Sequence, residues 1–114
     1  MPDRGEVWLA DLDPRGTGPG QSRPVLIVQS QALVSAGHPS TIVVPLTTDL
    51  VEAAEPLRLR FPRRGRLSRD SDLLIDQLRA IDNRRLVGRA LCRAPEALLA
   101  RVGEAIREVM DLVD

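Results

Sequence analysis

The chain contains no lysine and no tyrosine, and only one cysteine, one histidine and two aromatic residues in 114 positions. Each scarcity closes off a class of function. Cys92 alone can form neither an internal disulfide nor a cysteine-based metal cluster. His38 alone leaves no histidine-rich metal site, so no metal and no other cofactor is expected. With Trp8 and Phe61 as the only rings, nucleic-acid binding cannot rest on a row of stacked aromatics. No apolar run approaches the ~20 residues of a membrane span. Met1-Pro2-Asp3-Arg4-Gly5 carries no hydrophobic region of a signal peptide, and a soluble, cytoplasmic protein is the expectation.

Hydrophobic residues make up 43% of the chain, which is enough for a packed globule rather than a disordered polymer. Residues 1–114 are expected to form a single domain, burying roughly 65% of the surface of the unfolded chain. The net charge is zero, yet the charges are sorted. Residues 58–93 hold eleven arginines against four aspartates, a local +7, whereas residues 1–57 sum to −4 and residues 94–114 to −3. A basic middle between acidic ends provides a polyanion-binding face without a basic isoelectric point.

Hydrophobic periodicity divides the chain into short strands followed by one helix. Gly5–Leu12 reads as a first strand, stopped by Asp13-Pro14, and Val25–Gln29 as a strand covered on both faces. Ser30–Ala36 fits one or two helical turns before Gly37-His38-Pro39. Thr41–Val44 is a third strand, which Pro45 should end, bulge or confine to an edge because it cannot donate to a ladder. Leu57-Arg58-Leu59-Arg60-Phe61 alternates, with Leu57, Leu59 and Phe61 inward and Arg58 and Arg60 outward. Asp72–Gln77 and Arg85–Cys92 complete the strands, with Gly88 a candidate bulge. Such spacing predicts a small, strongly bent barrel. Leu98, Leu99, Val102, Ile106, Val109, Met110 and Val113 then recur at helical spacing, with Pro95 suited to the first helical position. The fold class is mostly β with a docked C-terminal amphipathic helix.

Three segments place polar groups at strand ends, where a barrel exposes its rim. In Gln21-Ser22-Arg23-Pro24, the proline biases Arg23 toward extended backbone at the mouth of a glycine-rich loop. A permanently charged, forked guanidinium there suits phosphate recognition. Thr47 and Thr48, after Pro45-Leu46, offer hydroxyls to the same anion. Gln77 and Arg79 alternate and should share one side of their strand, followed by Asp82, Arg84 and Arg85. Structural roles compete with each of these: Arg23 can pair with Asp11 or Asp13, the threonines can cap a turn before Asp49, and Asp76 and Asp82 can pair with nearby arginines. His38 is expected to be exposed, Met110 to be core, and Cys92 to be a buried small residue.

The order of Gly5-Glu-Val-Trp8, Asp11-Leu-Asp-Pro14, the glycine-rich loop, Arg23–Val28, Thr41–Thr48 and Asp76–Asp82 with Arg84-Arg85 resembles the MazF/PemK family of toxin endoribonucleases over nearly the whole length. The resemblance implies an SH3-like barrel with a C-terminal helix, assembled as a homodimer. It implies the toxin of a type II toxin–antitoxin pair, cleaving single-stranded RNA, chiefly messenger RNA, at a short sequence without a metal and so inhibiting translation and growth. It implies a MazE-like antitoxin whose acidic segment occupies the RNA groove. The family's catalytic arginine and threonine fall on Arg23 and Thr47, and Gln21, Ser22, Thr48, Gln77, Arg79, Arg84 and Arg85 are the implied RNA contacts. Some members carry a glutamate in the first loop; this chain has Gly18 or Pro19 there and a loop one residue shorter, so the general base is left unassigned.

Two other classes of function remain open to such a chain. A CcdB-like toxin of the same fold binds DNA gyrase and cleaves nothing, although it has no use for a phosphate clamp. A plain nucleic-acid-binding barrel fits the basic middle but lacks aromatic platforms.

Overall fold

The computed structural model describes residues 1–12 and 22–112. In chain order these form β1 (Glu6–Asp11), β2 (Ser22–Ile27), α1 (Gln31–Ser35), β3 (Ser40–Thr47), β4 (Arg58–Phe61), β5 (Ser71–Leu74), β6 (Arg79–Asp82), β7 (Leu86–Arg93) and α2 (Glu96–Val109). Single 3-10 turns, Ile75–Gln77 and Asn83–Arg85, flank β6. Every ladder is antiparallel, in the spatial order β4-β5-β3-β2-β1-β7, with β6 paired to the first half of β3. Mostly-β architecture with a C-terminal helix is what the periodicity predicts.

The central strands are covered on both faces. Along β2, Val25 and Ile27 join Trp8, Ala10, Val34, Val43 and Ile81 in one cluster. Leu26 joins Val7, Val44, Leu46, Phe61 and Leu73 in the other, onto which α2 docks Leu98, Val102 and Ala105. Alternation therefore disappears from the sequence of β2, since both sets of side chains leave water. Each large side chain so buried contributes about 1.5–3 kcal/mol.

β3 runs straight through Pro45, and of the outcomes expected of the proline (an end, a bulge or an edge) it is a local edge that forms. On one edge β3 pairs with β6 over Ser40–Val43 and with β5 over Leu46–Thr47. Pro45 stands between the two, where no amide donor is required. The bulge expected at Gly88 is present: opposite Val7 and Leu9 of β1 stand Cys92 and Val87, and Gly88 has φ +71°. Among the described residues no ladder joins β4 to β7. The two ends of the sheet meet instead through the β4–β5 turn, where the Arg66 amide donates to the Leu91 carbonyl at 2.8 Å.

Several local expectations are corrected. Asp72–Gln77 is not one strand: β5 ends at Leu74, a 3-10 turn follows, and Arg79 opens a separate β6. Leu57 precedes β4 and is 49% exposed rather than inward. Met110 is 53% exposed because the buried stripe of α2 runs through Leu98, Val102 and Ala105, and position 110 lies off it. Pro95 caps α2 instead of opening it. Cys92 is only half-buried, and burial raises its thiol pKa despite the nearby Arg64 charge.

Candidate active site

The β2–β3 ladder brings Arg23 and Thr47 together. Val25 lies across from Pro45, and the same register carried two residues farther sets Arg23 across from Thr47. The two residues line the same pair of adjoining hollows. One, about 340 Å³, is walled by Arg23, Pro24, Leu46, Thr47, Thr48, Asp49 and Ser71. The other, about 380 Å³, adds Leu12, Leu74, Gln77 and Arg79 to Arg23 and Thr47. Three elements thus converge: the start of β2, the end of β3, and the chain crossing from β5 into β6.

Arg23 is exposed, and its guanidinium makes no hydrogen bond or ion pair among the described residues. The structural alternative of an Arg23–Asp11 pair is therefore not what forms; Asp13 lies outside the described residues. Thr47 Oγ1 accepts a hydrogen bond from the Asp49 amide at 3.1 Å. That bond occupies a lone pair and leaves the hydroxyl proton free to donate into the hollow. A forked cation and a hydroxyl donor facing one space form a ready anion cradle.

Behind this cradle lies a charged residue that the sequence reading did not single out. Asp72, only 1% exposed, stands across from Thr47 in the β3–β5 ladder. Its Oδ2 accepts from the Val51 amide at 2.8 Å and from Arg58 Nη1 at 3.4 Å, and its Oδ1 from Arg60 Nε at 2.8 Å. Arg58 Nη1 also donates to the Asp49 carbonyl at 2.8 Å, and Arg60 Nη2 reaches Glu52 at 2.9 Å. Burial alone pushes the Asp72 carboxyl upward, but the Val51 amide and the two guanidinium groups outweigh it and hold the carboxyl below the usual range. Arg58 and Arg60, expected simply to face outward, are instead committed to this ion cluster. An acid set beside an unbroken apolar run, Leu73-Leu74-Ile75, was the available sign of it.

Of the residues expected at the site, Arg23, Thr47, Thr48, Gln77 and Arg79 line the hollows. Gln77 does so from a 3-10 turn rather than from a strand. Ser22 lies in β2 across from Asp11 and beside Arg23, whereas Gln21 is outside the described residues. Arg84 and Arg85 stand apart from the hollow walls. Arg84 Nη2 pairs with Asp82 Oδ2 at 2.9 Å, and its Nε donates to Asp82 Oδ1 at 3.1 Å. Arg85 donates to the Asp11 carbonyl at 3.2 Å. The Arg84 side chain and amide, more than charge at a distance, depress the Asp82 carboxyl to about 2. Sequence reading missed Leu12, Asp49, Ser71 and Leu74 as wall residues, because only the fold brings them there.

His38 is exposed, as expected, in the loop before β3, with Nδ1 3.0 Å from the Ser40 carbonyl. Ser40 and Thr47 are the two ends of β3, about 23 Å apart at ~3.3 Å per residue, so the imidazole takes no part in the cradle. Among the described residues no three His, Cys, Asp or Glu side chains gather as a metal site, and no helix is long and apolar enough to cross a membrane.

Comparison with known proteins places this geometry among relatives. The family described as PemK-like, MazF-like toxin of type II toxin–antitoxin system matches residues 3–110. The chain is 32% identical over 113 residues to endoribonuclease EndoA of Bacillus subtilis, covering 97% of this chain and 96% of that protein. It is 35% identical over 85 residues to endoribonuclease MazF of Staphylococcus epidermidis, covering 73% and 70%. In fold it is similar to MazE–MazF of Deinococcus radiodurans, with a TM-score of 0.77 at 21% identity over 99% of this chain and 98% of that one. It is also similar to a mycobacterial endoribonuclease in complex with its cognate antitoxin, with a TM-score of 0.76 at 22% identity over 100% and 99%.

Proposed function

The chain belongs to the PemK-like, MazF-like toxins of type II toxin–antitoxin systems, and on that premise we propose that the Arg23–Thr47 cradle is the catalytic centre of its endoribonuclease activity. The protein is a toxin and an endoribonuclease, with an antitoxin as its partner. The finer reading is cleavage of single-stranded messenger RNA at a short sequence, without a metal, in the cytoplasm. The enzyme acts as a homodimer, is silenced by the acidic segment of a MazE-like antitoxin, and inhibits translation and growth when released. A gyrase-binding role leaves an unpaired guanidinium and a free hydroxyl proton with nothing to bind.

The observation that carries this reading is that Arg23 and Thr47 line the same two hollows from adjacent strands. In the reaction, the RNA 2′-oxygen attacks the adjacent phosphorus and the 5′-oxygen leaves, giving a 2′,3′-cyclic phosphate and a 5′-hydroxyl. Negative charge accumulates on the non-bridging oxygens in the five-coordinate state. The Arg23 fork and the Thr47 hydroxyl meet that charge without reorganising, and each well-placed donor of this kind is worth ~2.7–4 kcal/mol. Thr48, Gln77 and Arg79 line the walls around the same anion and contact flanking nucleotides, with Ser22 beside Arg23; Gln21 is a further proposed RNA contact. Arg84 and Arg85 do not line these hollows and are left out of the proposed contact set.

Purified protein should cut single-stranded RNA in the presence of EDTA. Arg23→Ala should abolish cutting while the circular dichroism spectrum and thermal transition are preserved. Uncut RNA at high concentrations of folded wild-type protein would overturn the reading.

A further inference from the structure

Asp49 stands two positions beyond Thr47 and carries a carboxylate that is unpaired among the described residues. It lines the 340 Å³ hollow with both of them. Its amide and carbonyl are engaged, by Thr47 Oγ1 and by Arg58 Nη1, so its backbone is held from two sides. Its carboxylate, by contrast, makes no hydrogen bond or ion pair among the described residues. Arg23 is equally unpaired. Arg23 and Asp49 line one hollow without pairing with each other, which leaves both charges available to a ligand there. Arg58 and Arg60 are taken by Asp72 and Glu52, whereas Arg79 on the adjoining hollow makes no ion pair among the described residues.

We propose that Asp49 is the general base of the cleavage reaction, taking the proton of the RNA 2′-hydroxyl. The inference rests on the endoribonuclease reading above and supplies the proton acceptor that reading lacks. A guanidinium is a poor proton acceptor, and His38 lies near the far end of β3. Of the described residues walling the two hollows, Asp49 alone carries a side chain that ionises to an acceptor. The groups facing it are Arg23 from β2, Thr47 and Thr48 from β3 and its exit, and Ser71 from β5. In the step, the 2′-O–H proton passes to the carboxylate as the 2′-O–P bond forms. The P–O5′ bond breaks, the 5′-oxygen takes a proton from solvent water, and Asp49 returns its own proton to solvent. No other reactant is required.

The test uses the full chain and a single-stranded RNA containing one cut site. Because a carboxylate in the hollow repels the RNA phosphates, Asp49→Asn should tighten RNA binding or leave it unchanged. It should nonetheless lower kcat by about 10²-fold or more, the scale of general-base catalysis. The acid limb of the wild-type pH–rate profile should vanish, and Asp49→Glu should restore part of the rate together with that limb. An Asn variant that is folded by circular dichroism and cuts with wild-type kcat and pH dependence would overturn the proposal. So would a loss confined to KM, or an Asp49→Glu variant that is folded yet no faster than the Asn variant. If wild-type protein itself cuts no RNA, the underlying functional reading fails instead, and the two failures are told apart by that control.

Discussion

Asp72 stands directly across from Thr47 in the β3–β5 ladder, and its buried carboxylate binds the same turn that holds the Thr47 hydroxyl. The Val51 amide, Arg58 and Arg60 all donate to that carboxylate, and Arg58 also ties down the Asp49 carbonyl. The segment from Thr47 to Val51 is therefore held at Asp49 and at Val51 by charge-assisted bonds. A catalytic hydroxyl on an exposed turn needs such support, because a small misplacement of a donor costs much of its effect.

Removing the charge at Asp72 should expose this dependence. Asp72→Asn leaves two guanidinium groups facing a neutral amide, and breaking a buried pair costs ~3–5 kcal/mol. Arg58 and Arg60 are about a quarter to a third exposed, so solvent screening puts the loss at the lower end. Urea unfolding should report the loss of stability, and single-turnover cleavage should show a reduced kcat in the fraction that stays folded.

Acid should destabilise the protein through the same group. Asp72 and Asp82 both titrate lower in the folded chain than in the unfolded one. Their contribution is thus complete above the unfolded value of ~3.9 and is lost as pH falls through the folded values. The share of Asp82 disappears by about pH 2. The urea midpoint should hold steady from neutral pH down to about pH 5 and fall below pH 4, with a shallower fall in Asp72→Asn. A midpoint indifferent to acid would contradict the assigned pairing.

The hydroxyl of Thr47 can be tested without disturbing its bulk. Thr47→Val keeps the shape but removes the donor, and should lower kcat by about 10²–10³-fold with KM little changed, as expected of a contact made in the transition state. Thr47→Ser should retain most of the rate. Equal losses in both variants would assign the effect to packing.

Arg84→Ala offers the converse check. Its guanidinium is committed to Asp82 and lies outside the hollow walls. Cleavage rate and the salt dependence of RNA binding should match wild type, whereas Arg79→Ala should weaken binding and flatten its salt slope by about 0.7 per lost phosphate contact.

Gly65 tests how the ends of the sheet are bridged. It has φ +54°, and an added Cβ would stand 2.9 Å from the Leu91 carbonyl oxygen, a backbone atom that cannot yield cheaply. Gly65→Ala should cost about 1–3 kcal/mol and lower the thermal midpoint. An unchanged midpoint would show that the Arg66–Leu91 hydrogen bond is dispensable.

Local chemistry was sufficient for the strands with clean periodicity, for α2, and for Arg23 itself. An arginine before a proline at a strand start has its backbone geometry set by its immediate neighbours. The bulge at Gly88 was legible for the same reason. Less of β3 could be read, since Pro45 looks like a strand end until one knows that β5 and β6 share that edge on either side of it. The split of residues 72–82 into β5, a 3-10 turn and β6 was equally hidden, because Leu73-Leu74-Ile75 is apolar in any of these conformations.

Which polar groups meet was decided by sheet register and by long-range ion pairing. Arg23, Thr47, Ser71 and Arg79 come from four separate stretches and share walls only because antiparallel ladders align them. The commitment of Asp72 to Arg58 and Arg60, and of Arg84 to Asp82, leaves Arg23 and Asp49 without a charged partner among the described residues on the wall of one hollow. Composition counts charges but cannot say which of them are already neutralised; that depends on distances across the folded sheet.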